Sequence, residues 1–103
     1  MKTHPAKRVV IVIESALQRR LCDALEKAGI NAWTILPVLG GSGRSGRWQR
    51  DGEVSRASGM VSVVCVIRPD RLDGLLDAAF AVVERHIGMV TISDVEVLRA
   101  ERF

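Results

Sequence analysis

At 103 residues, with 48% hydrophobic and 26% charged positions, the chain has the composition of one folded domain and is too short for a second. This balance excludes wholesale disorder, and a net charge of +3 is too mild to indicate general nucleic-acid binding. The positive charge is nevertheless concentrated, since the central segment carries Arg44, Arg47, Arg50 and Arg56. A cluster of this kind favours an anionic ligand or partner at that segment.

The first predicted elements are a strand and a helix. Residues 9–13 form a short, β-branched apolar run, which is typical of a strand buried on both faces. Apolar residues at helical spacing follow over 17–28, and Gly29 suits the end of that helix. Ser15 and Gln18 have the spacing of a capping box, so we expect the helix to begin there.

A second strand, a long loop and a third strand come next. Residues 30–39 alternate well enough for a strand, and Pro37 indicates an edge position or a bulge. Residues 40–59 have no usable periodicity, and a loop of that length in a small domain is usually functional or disordered. Residues 60–67 then return to the apolar pattern of a strand.

The last two elements are again a helix and a strand. An apolar stripe over 72–83 predicts the helix, with Pro69 as its first residue. Residues 89–98 form the final predicted strand. The alternation of apolar and polar residues in this strand is interrupted between Ile92 and Val95. This interruption indicates a bulge or burial on both faces.

This order predicts an α+β fold, a ferredoxin-like βαββαβ sandwich with both helices on one face of the sheet. We expect a single domain over 1–103, with an N-terminal tail at 1–7. Two helices cover only one face of such a sheet, yet the first and third strands read as apolar on both faces. We therefore expect a second copy of the chain to cover the other face.

The glycine-rich start of the loop is a candidate anion site. Gly40, Gly41, Ser42 and Gly43 offer backbone N–H groups that no large side chain obstructs, as phosphate-wrapping loops do. The segment lacks the context of a Walker A loop or a Rossmann fingerprint, so a merely flexible hairpin connection is an equal alternative.

Arginines and one tryptophan add to this candidate site. Arg44, Arg47 and Arg102 could bind phosphate in a bidentate manner, or they could be solvated surface charges. Trp48 could anchor a protein partner, or it could pack onto the base of the loop.

Other functional classes find little support. The chain contains the residue types of a catalytic triad in Ser58, His86 and Asp94. No strand-to-helix nucleophile turn accompanies them, so a triad is not supported. The two histidines lack companions for a metal site. Cys22 and Cys65 lie in apolar segments and are expected to be reduced, buried thiols. RNA binding on this fold would need aromatic residues on the first and third strands, which are aliphatic here.

Three segments resemble the PII signalling proteins: GINAWT at 29–34, GGSGR at 40–44 and GMVTISDVEVL at 88–98. The resemblance extends from Arg8 to Phe103. It is closest to the PII-like regulators associated with carboxysomes and bicarbonate transporters, which share the Gly-Gly-x-Gly loop base and a terminal Glu-Val-Leu…Phe strand.

The resemblance implies a homotrimer with nucleotide clefts between subunits, and a T-loop, residues 40–59, that changes order when ligand binds. By position, the implied nucleotide-binding residues are Thr34, Gly40, Gly41, Ser42, Gly43, Arg44, Val66, Gly88, Met89, Arg99 and Arg102. Thr34 and Val66 would border the adenine, and Arg102 would reach in from a neighbouring subunit. Contacts to a protein target or a small anion would come from Arg47, Trp48 and Arg50.

Two departures from the nitrogen-regulatory members modify what the resemblance implies. The chain has no tyrosine, which excludes T-loop uridylylation. Met89 stands where those members carry a phosphate-binding lysine, which favours ADP, AMP or a cyclic nucleotide over ATP.

The expected function is therefore that of a non-enzymatic, cytoplasmic regulator without a prosthetic group. It would sense adenine nucleotides, with bicarbonate as a second candidate ligand in inorganic carbon metabolism and a carboxysome as one candidate location. The apolar run at 9–13 is too short for a signal peptide or a membrane span, so no membrane insertion is expected. Two alternatives stay open: a scaffold protein without a small-molecule ligand, and an acylphosphatase-like hydrolase.

Overall fold

The computed structural model describes residues 1–43, 46–49 and 59–99. The strands are β1 (His4–Glu14), β2 (Thr34–Val38), β3 (Gly40–Gly43), β4 (Gly46–Gln49), β5 (Met60–Ile67) and β6 (Gly88–Val97). The helices are α1 (Gln18–Lys27) and α2 (Leu72–Val83). Short 3-10 turns, Ser15–Leu17 and Pro69–Arg71, lead into α1 and α2.

β1 lies inside a four-stranded sheet with the order β2-β5-β1-β6, and all neighbouring strands are antiparallel. Val9 shows the arrangement, since it lies opposite Cys65 on β5 and Ile92 on β6. β3 and β4 pair only with each other, as a separate hairpin that follows β2. The predicted ferredoxin-like α+β fold is confirmed, and the edge position expected for Pro37 is observed because β2 is an outer strand.

The core fills the space between the helices and one face of the sheet. Every second residue of β1 and β5 points into it, and Val9, Ile11 and Val63 are fully buried. Leu21 and Leu75 close this layer from α1 and α2. The alternate residues of the same strands lie on the other face, which residues 1–43, 46–49 and 59–99 leave open. Those residues are only half-buried: Val10, Val12, Val64 and Val66.

Two predicted details of the chain are wrong. No side chain caps α1, because Leu17 occupies the N-cap position and Ser15 begins the preceding 3-10 turn instead. The backbone N–H of Ser15 donates to the carbonyl oxygen of Gly59 at 2.8 Å, which ties this turn to the end of the long loop. β6 contains no bulge, since its register against β1 runs without interruption from His4 opposite Val97 to Ile13 opposite Gly88. The alternative for β6, burial on both faces, stays a prediction.

The N-terminal tail is also shorter than expected, because β1 already begins at His4. The additional residues extend its pairing with β6, and two side-chain contacts reinforce that extension. Thr3 donates a hydrogen bond to Glu96, and Lys7 forms an ion pair with Asp94.

The end of α1 is held by a residue from the turn before α2. Gly29 has φ of +85°, the left-handed conformation that commonly ends a helix. Arg71 donates a hydrogen bond to the carbonyl oxygen of Ala28 at 3.2 Å, and its guanidinium occupies the place where a Cβ of Gly29 would stand. Glycine at 29 therefore satisfies both the backbone and the packing of Arg71.

We expect Gly29→Ala to lower the free energy of unfolding by about 1–2 kcal/mol, because alanine strains this backbone and displaces Arg71. Gly74→Ala is the matched control. Gly74 lies in α2 with open space around it, so alanine there should raise stability by about 0.5–1 kcal/mol. Urea unfolding measures both variants, and equal effects at the two positions would contradict the account of Gly29.

Candidate functional site

A groove of about 580 Å³ lies at one end of the open face of the sheet. β2 begins there while β5 and β6 end there, because Thr34 pairs with Val64 and Val97 pairs with His4. The lining residues are Ala32, Trp33, Thr34, Val64, Val66, Val97, Leu98 and Arg99. The structure thus brings together three residues predicted for the nucleotide, namely Thr34, Val66 and Arg99.

The lining suits a flat molecule with an apolar face and polar edges. Valine and leucine side chains provide the apolar walls, while Thr34 and Arg99 contribute hydrogen-bonding groups. Trp33 is half-buried and packs against the hydrophobic core while it also lines the groove. Its position is fixed by the core, so it offers a rigid aromatic wall at the start of β2.

Sequence reasoning missed Trp33. The signal was available, because Trp33 lies directly before Thr34, which was singled out as a residue bordering the ligand. Alternation along a strand assigns the two neighbours to opposite faces, so a pattern that selects Thr34 leaves Trp33 out. At the first residues of a strand, however, a large side chain can contact the core and also line a groove at the edge of the sheet.

The glycine-rich segment forms one strand of a hairpin. Gly41 lies opposite Trp48, and Ser42 lies opposite Arg47. The expectation of a loop without regular structure is therefore wrong for β3 and β4. Trp48 packs over Gly41, since a Cβ added to Gly41 would come within 3.1–3.4 Å of three atoms of the indole. Of the two interpretations of Trp48, packing onto the loop base describes this conformation. Arg47 is exposed.

Gly88 and Met89 lie at the other end of the sheet. They begin β6 opposite Ile13 and Val12, and Met89 is 65% exposed. Gly40 follows β2 at this same end. An extended strand rises roughly 3.3 Å per residue, so Gly40 lies about 20 Å from Thr34. Within the part of the chain that the structure describes, Gly40–Gly43 and Gly88–Met89 therefore do not share a groove with Thr34 and Val66.

Three predicted site residues, Arg44, Arg50 and Arg102, lie outside the described residues. Their contacts to phosphate or partner stay predictions. The same applies to the T-loop between residues 50 and 58.

The comparison with known families is decisive. Residues 6–102 match the model of the family described as nitrogen regulatory protein P-II. The chain belongs to the P-II family. The resemblance seen in the sequence is confirmed, and P-II proteins are signalling proteins rather than enzymes. No match was found among curated proteins.

Solved structures show which P-II proteins this chain resembles. CPII from Thiomonas intermedia K12, described as a nitrogen regulatory PII-like protein bound to ADP, AMP and bicarbonate, is 25% identical with a TM-score of 0.84. The similarity covers 93% of this chain and 91% of that one. CPII bound to ADP and bicarbonate is 26% identical, with a TM-score of 0.78 and the same coverage of 93% and 91%.

A protein from Thermus thermophilus, described as PII-like and signalling, shares the fold. It is 23% identical with a TM-score of 0.79, and the similarity covers 100% of this chain and 99% of that one.

The open face of this P-II chain carries apolar side chains that water reaches. Leu36 on β2 and Met89 on β6 lie on it, and they are 47% and 65% exposed. Together with the half-buried valines of β1 and β5, they place apolar side chains on all four strands of this face, which also carries Ser62 and Thr91.

Both thiols are poor nucleophiles. Burial raises the pKa of Cys65 to about 11, with a further increase from Cys22, and Cys65 has no exposed surface. Burial, followed by the nearby Asp23 carboxylate, raises the pKa of the half-buried Cys22. Both are protonated near neutral pH. The expected burial is confirmed for Cys65, whereas Cys22 is only half-buried.

Residues 1–43, 46–49 and 59–99 contain no group of three or more side chains suited to hold a metal ion. In the same part of the chain, neither helix has the length and apolar character needed to cross a bilayer.

Proposed function

We propose that this P-II protein is a non-enzymatic, cytoplasmic regulator that binds ADP or AMP in preference to ATP. The observation that carries the proposal is the groove in which Trp33, Thr34, Val66 and Arg99 come together. The adenine base lies against Trp33 and the valines, and Thr34 contacts a polar edge of the base. Aromatic walls bind nucleobases by stacking, because every base has a π-face.

The preference for ADP or AMP rests on charge and on similar proteins. Met89 brings no cation to the position where nitrogen-regulatory PII members carry a lysine, so a third phosphate would meet fewer counter-charges. The solved CPII complexes are described as containing ADP and AMP, which supports the same preference here.

The nucleotide site is completed by a second copy of the chain in a homotrimer. The groove and the glycine strand lie at opposite ends of one sheet, so two copies must supply them to a single ligand. The open apolar face provides the surface for assembly, because exposed leucine, methionine and valine side chains favour burial against an equivalent face. The predicted Gly40–Gly43 backbone and Arg44 then bind the phosphates.

Bicarbonate is proposed as a second ligand, in the regulation of inorganic carbon metabolism. CPII is described in complexes with bicarbonate, and the arginine-rich T-loop of this chain suits a small anion. The T-loop, with Arg47, Trp48 and Arg50, contacts a protein target according to which ligand is bound. A carboxysome is one candidate setting for that target.

Isothermal titration calorimetry with ADP, AMP and ATP tests the function directly. We expect saturable binding of about one nucleotide per chain, with ADP or AMP tighter than ATP. Absence of heat from all three at millimolar ligand would contradict nucleotide sensing and would favour the scaffold alternative.

Replacing Trp33 tests the position of the base. We expect Trp33→Ala to weaken ADP binding about tenfold, since stacking of one base on an aromatic ring contributes ~1–3 kcal/mol. Trp33→Phe keeps a ring at the same place and should stay within about threefold of the parent. Circular dichroism confirms that each variant is folded, and equal affinities of all three proteins would remove Trp33 from the site.

A charge on the open face tests the assembly. We expect Leu36→Asp to convert a trimer into a monomer, because the interface would otherwise bury an unpaired carboxylate. Phe80→Asp is the control, since Phe80 is 62% exposed on α2, in the layer of helices away from the open face. Light scattering coupled to size exclusion measures the masses. A parent protein that is monomeric at micromolar concentration would contradict the assembly, and loss of the trimer in Phe80→Asp would assign the interface to the helices.

A further inference from the structure

Glu14 is the last residue of β1, at the end of the sheet where the predicted phosphate segments lie. Met60 lies opposite it on β5, and Met60 in turn pairs with Val38, the residue that ends β2 shortly before Gly40–Gly43. On the other side of β1, β6 begins with Gly88–Met89. Glu14 is therefore flanked by the two segments that the proposed function assigns to the phosphates of the nucleotide.

The carboxylate of Glu14 contacts the turn that leads into β6. The backbone N–H of Ile87 donates a hydrogen bond to Oε1 of Glu14 at 3.3 Å. Ile87 directly precedes Gly88, so this N–H belongs to the same stretch of backbone as one predicted phosphate segment. Backbone N–H groups in turns are the donors with which proteins commonly bind anions. One such donor is thus already occupied by an anion of the chain itself.

The negative charge of Glu14 is poorly compensated. Its side chain is half-buried, which reduces the screening of its charge by water. The ion pairs between residues that the structure describes join Lys7 to Asp94 and Arg68 to Asp70, and neither includes Glu14. A phosphate placed at this end of the sheet therefore meets the field of a carboxylate.

We propose that Glu14 is a specificity-determining residue of the nucleotide site, which selects against ATP by repelling its third phosphate. The inference rests on the proposed function and names a residue that sets the ligand charge of that same site. AMP, ADP and ATP each differ by one phosphate. With the base held in the groove, every further phosphate extends the ligand toward this end of the sheet and adds negative charge near Glu14.

This effect differs from that of Met89. A methionine at position 89 supplies no attraction for phosphate, and its effect is the absence of a counter-charge. Glu14 adds a repulsion, whose strength increases with the number of negative charges brought close to it. Removal of the carboxylate should therefore change the ratio of the three affinities, with Met89 left in place.

The Glu14→Gln variant tests this repulsion. Glutamine has the same size and keeps an oxygen that can accept the hydrogen bond from Ile87, but it carries no charge. Calorimetry compares AMP, ADP and ATP with no divalent metal added, since a bound metal ion would itself neutralise phosphate charge. We expect ATP to bind about tenfold more tightly than to the parent, ADP about threefold, and AMP less than about twofold.

Salt and a second variant separate charge from structure. In 1 M salt the Debye length is ~3 Å, so the gain in ATP affinity of Glu14→Gln should fall below about threefold. Asp77→Asn is the matched control, because it removes one carboxylate from an exposed position on α2, and it should leave the ratio of the three affinities unchanged.

The outcomes separate this inference from the proposed function. Affinities that stay the same in Glu14→Gln, that change equally for the three nucleotides, or that fall for ATP would overturn the role of Glu14 and leave nucleotide sensing intact. Absence of heat from all three nucleotides with the parent protein would overturn both.

Discussion

β1 is paired along its length with β5 on one side and β6 on the other, and the remaining features of the molecule depend on this central strand. One row of its side chains must lie under the two helices, so the other row faces away from them. Ile11 is completely buried on the helix side, while Val10 and Val12 are half-buried on the open side. The constraint is geometric: a single layer of helices cannot cover both rows.

This geometry also explains where the candidate site lies. The groove forms at the end of the sheet where β2 begins, because the segment before Thr34 brings Trp33 to the edge while Val97 and Leu98 approach from β6. The glycine strand leaves β2 at the other end. Under the proposed function, one ligand needs both regions and therefore two copies of the chain, so assembly on the open face and binding at the groove are proposed together.

Most of the fold could be predicted from the sequence, because the spacing of apolar residues indicates which face of a strand or helix is buried. The runs at 9–13 and 60–67 and the stripe at 72–83 mark elements that the structure contains, since each has a face packed in the core. The interrupted apolar pattern between Ile92 and Val95 predicted a bulge or burial on both faces, and the bulge is absent. β6 is an outer strand whose two faces are both partly exposed, so its apolar pattern carries less information about register.

The site was harder to predict because contacts in the folded chain bring its residues together. No regular spacing in the sequence marks those residues. The hairpin of β3 and β4 consists largely of glycine and polar residues, which have no apolar alternation to reveal a strand. Features that accompany it are the indole of Trp48 over Gly41 and the positive φ of Gly46. Ser15 similarly matched a capping motif, whereas its N–H group holds the carbonyl of Gly59, a residue far along the chain.

That last hydrogen bond bears on how P-II proteins can diversify. The T-loop leaves the sheet directly after β2, and it returns at a buried Gly59 that is held by the turn before α1. Both attachment points thus belong to the rigid part of the molecule. Doubling the length of a loop between fixed ends costs only about 0.6 kcal/mol in closure entropy. Evolution can therefore lengthen, shorten or rewrite this segment to reach a new target while the sheet and its core stay as they are.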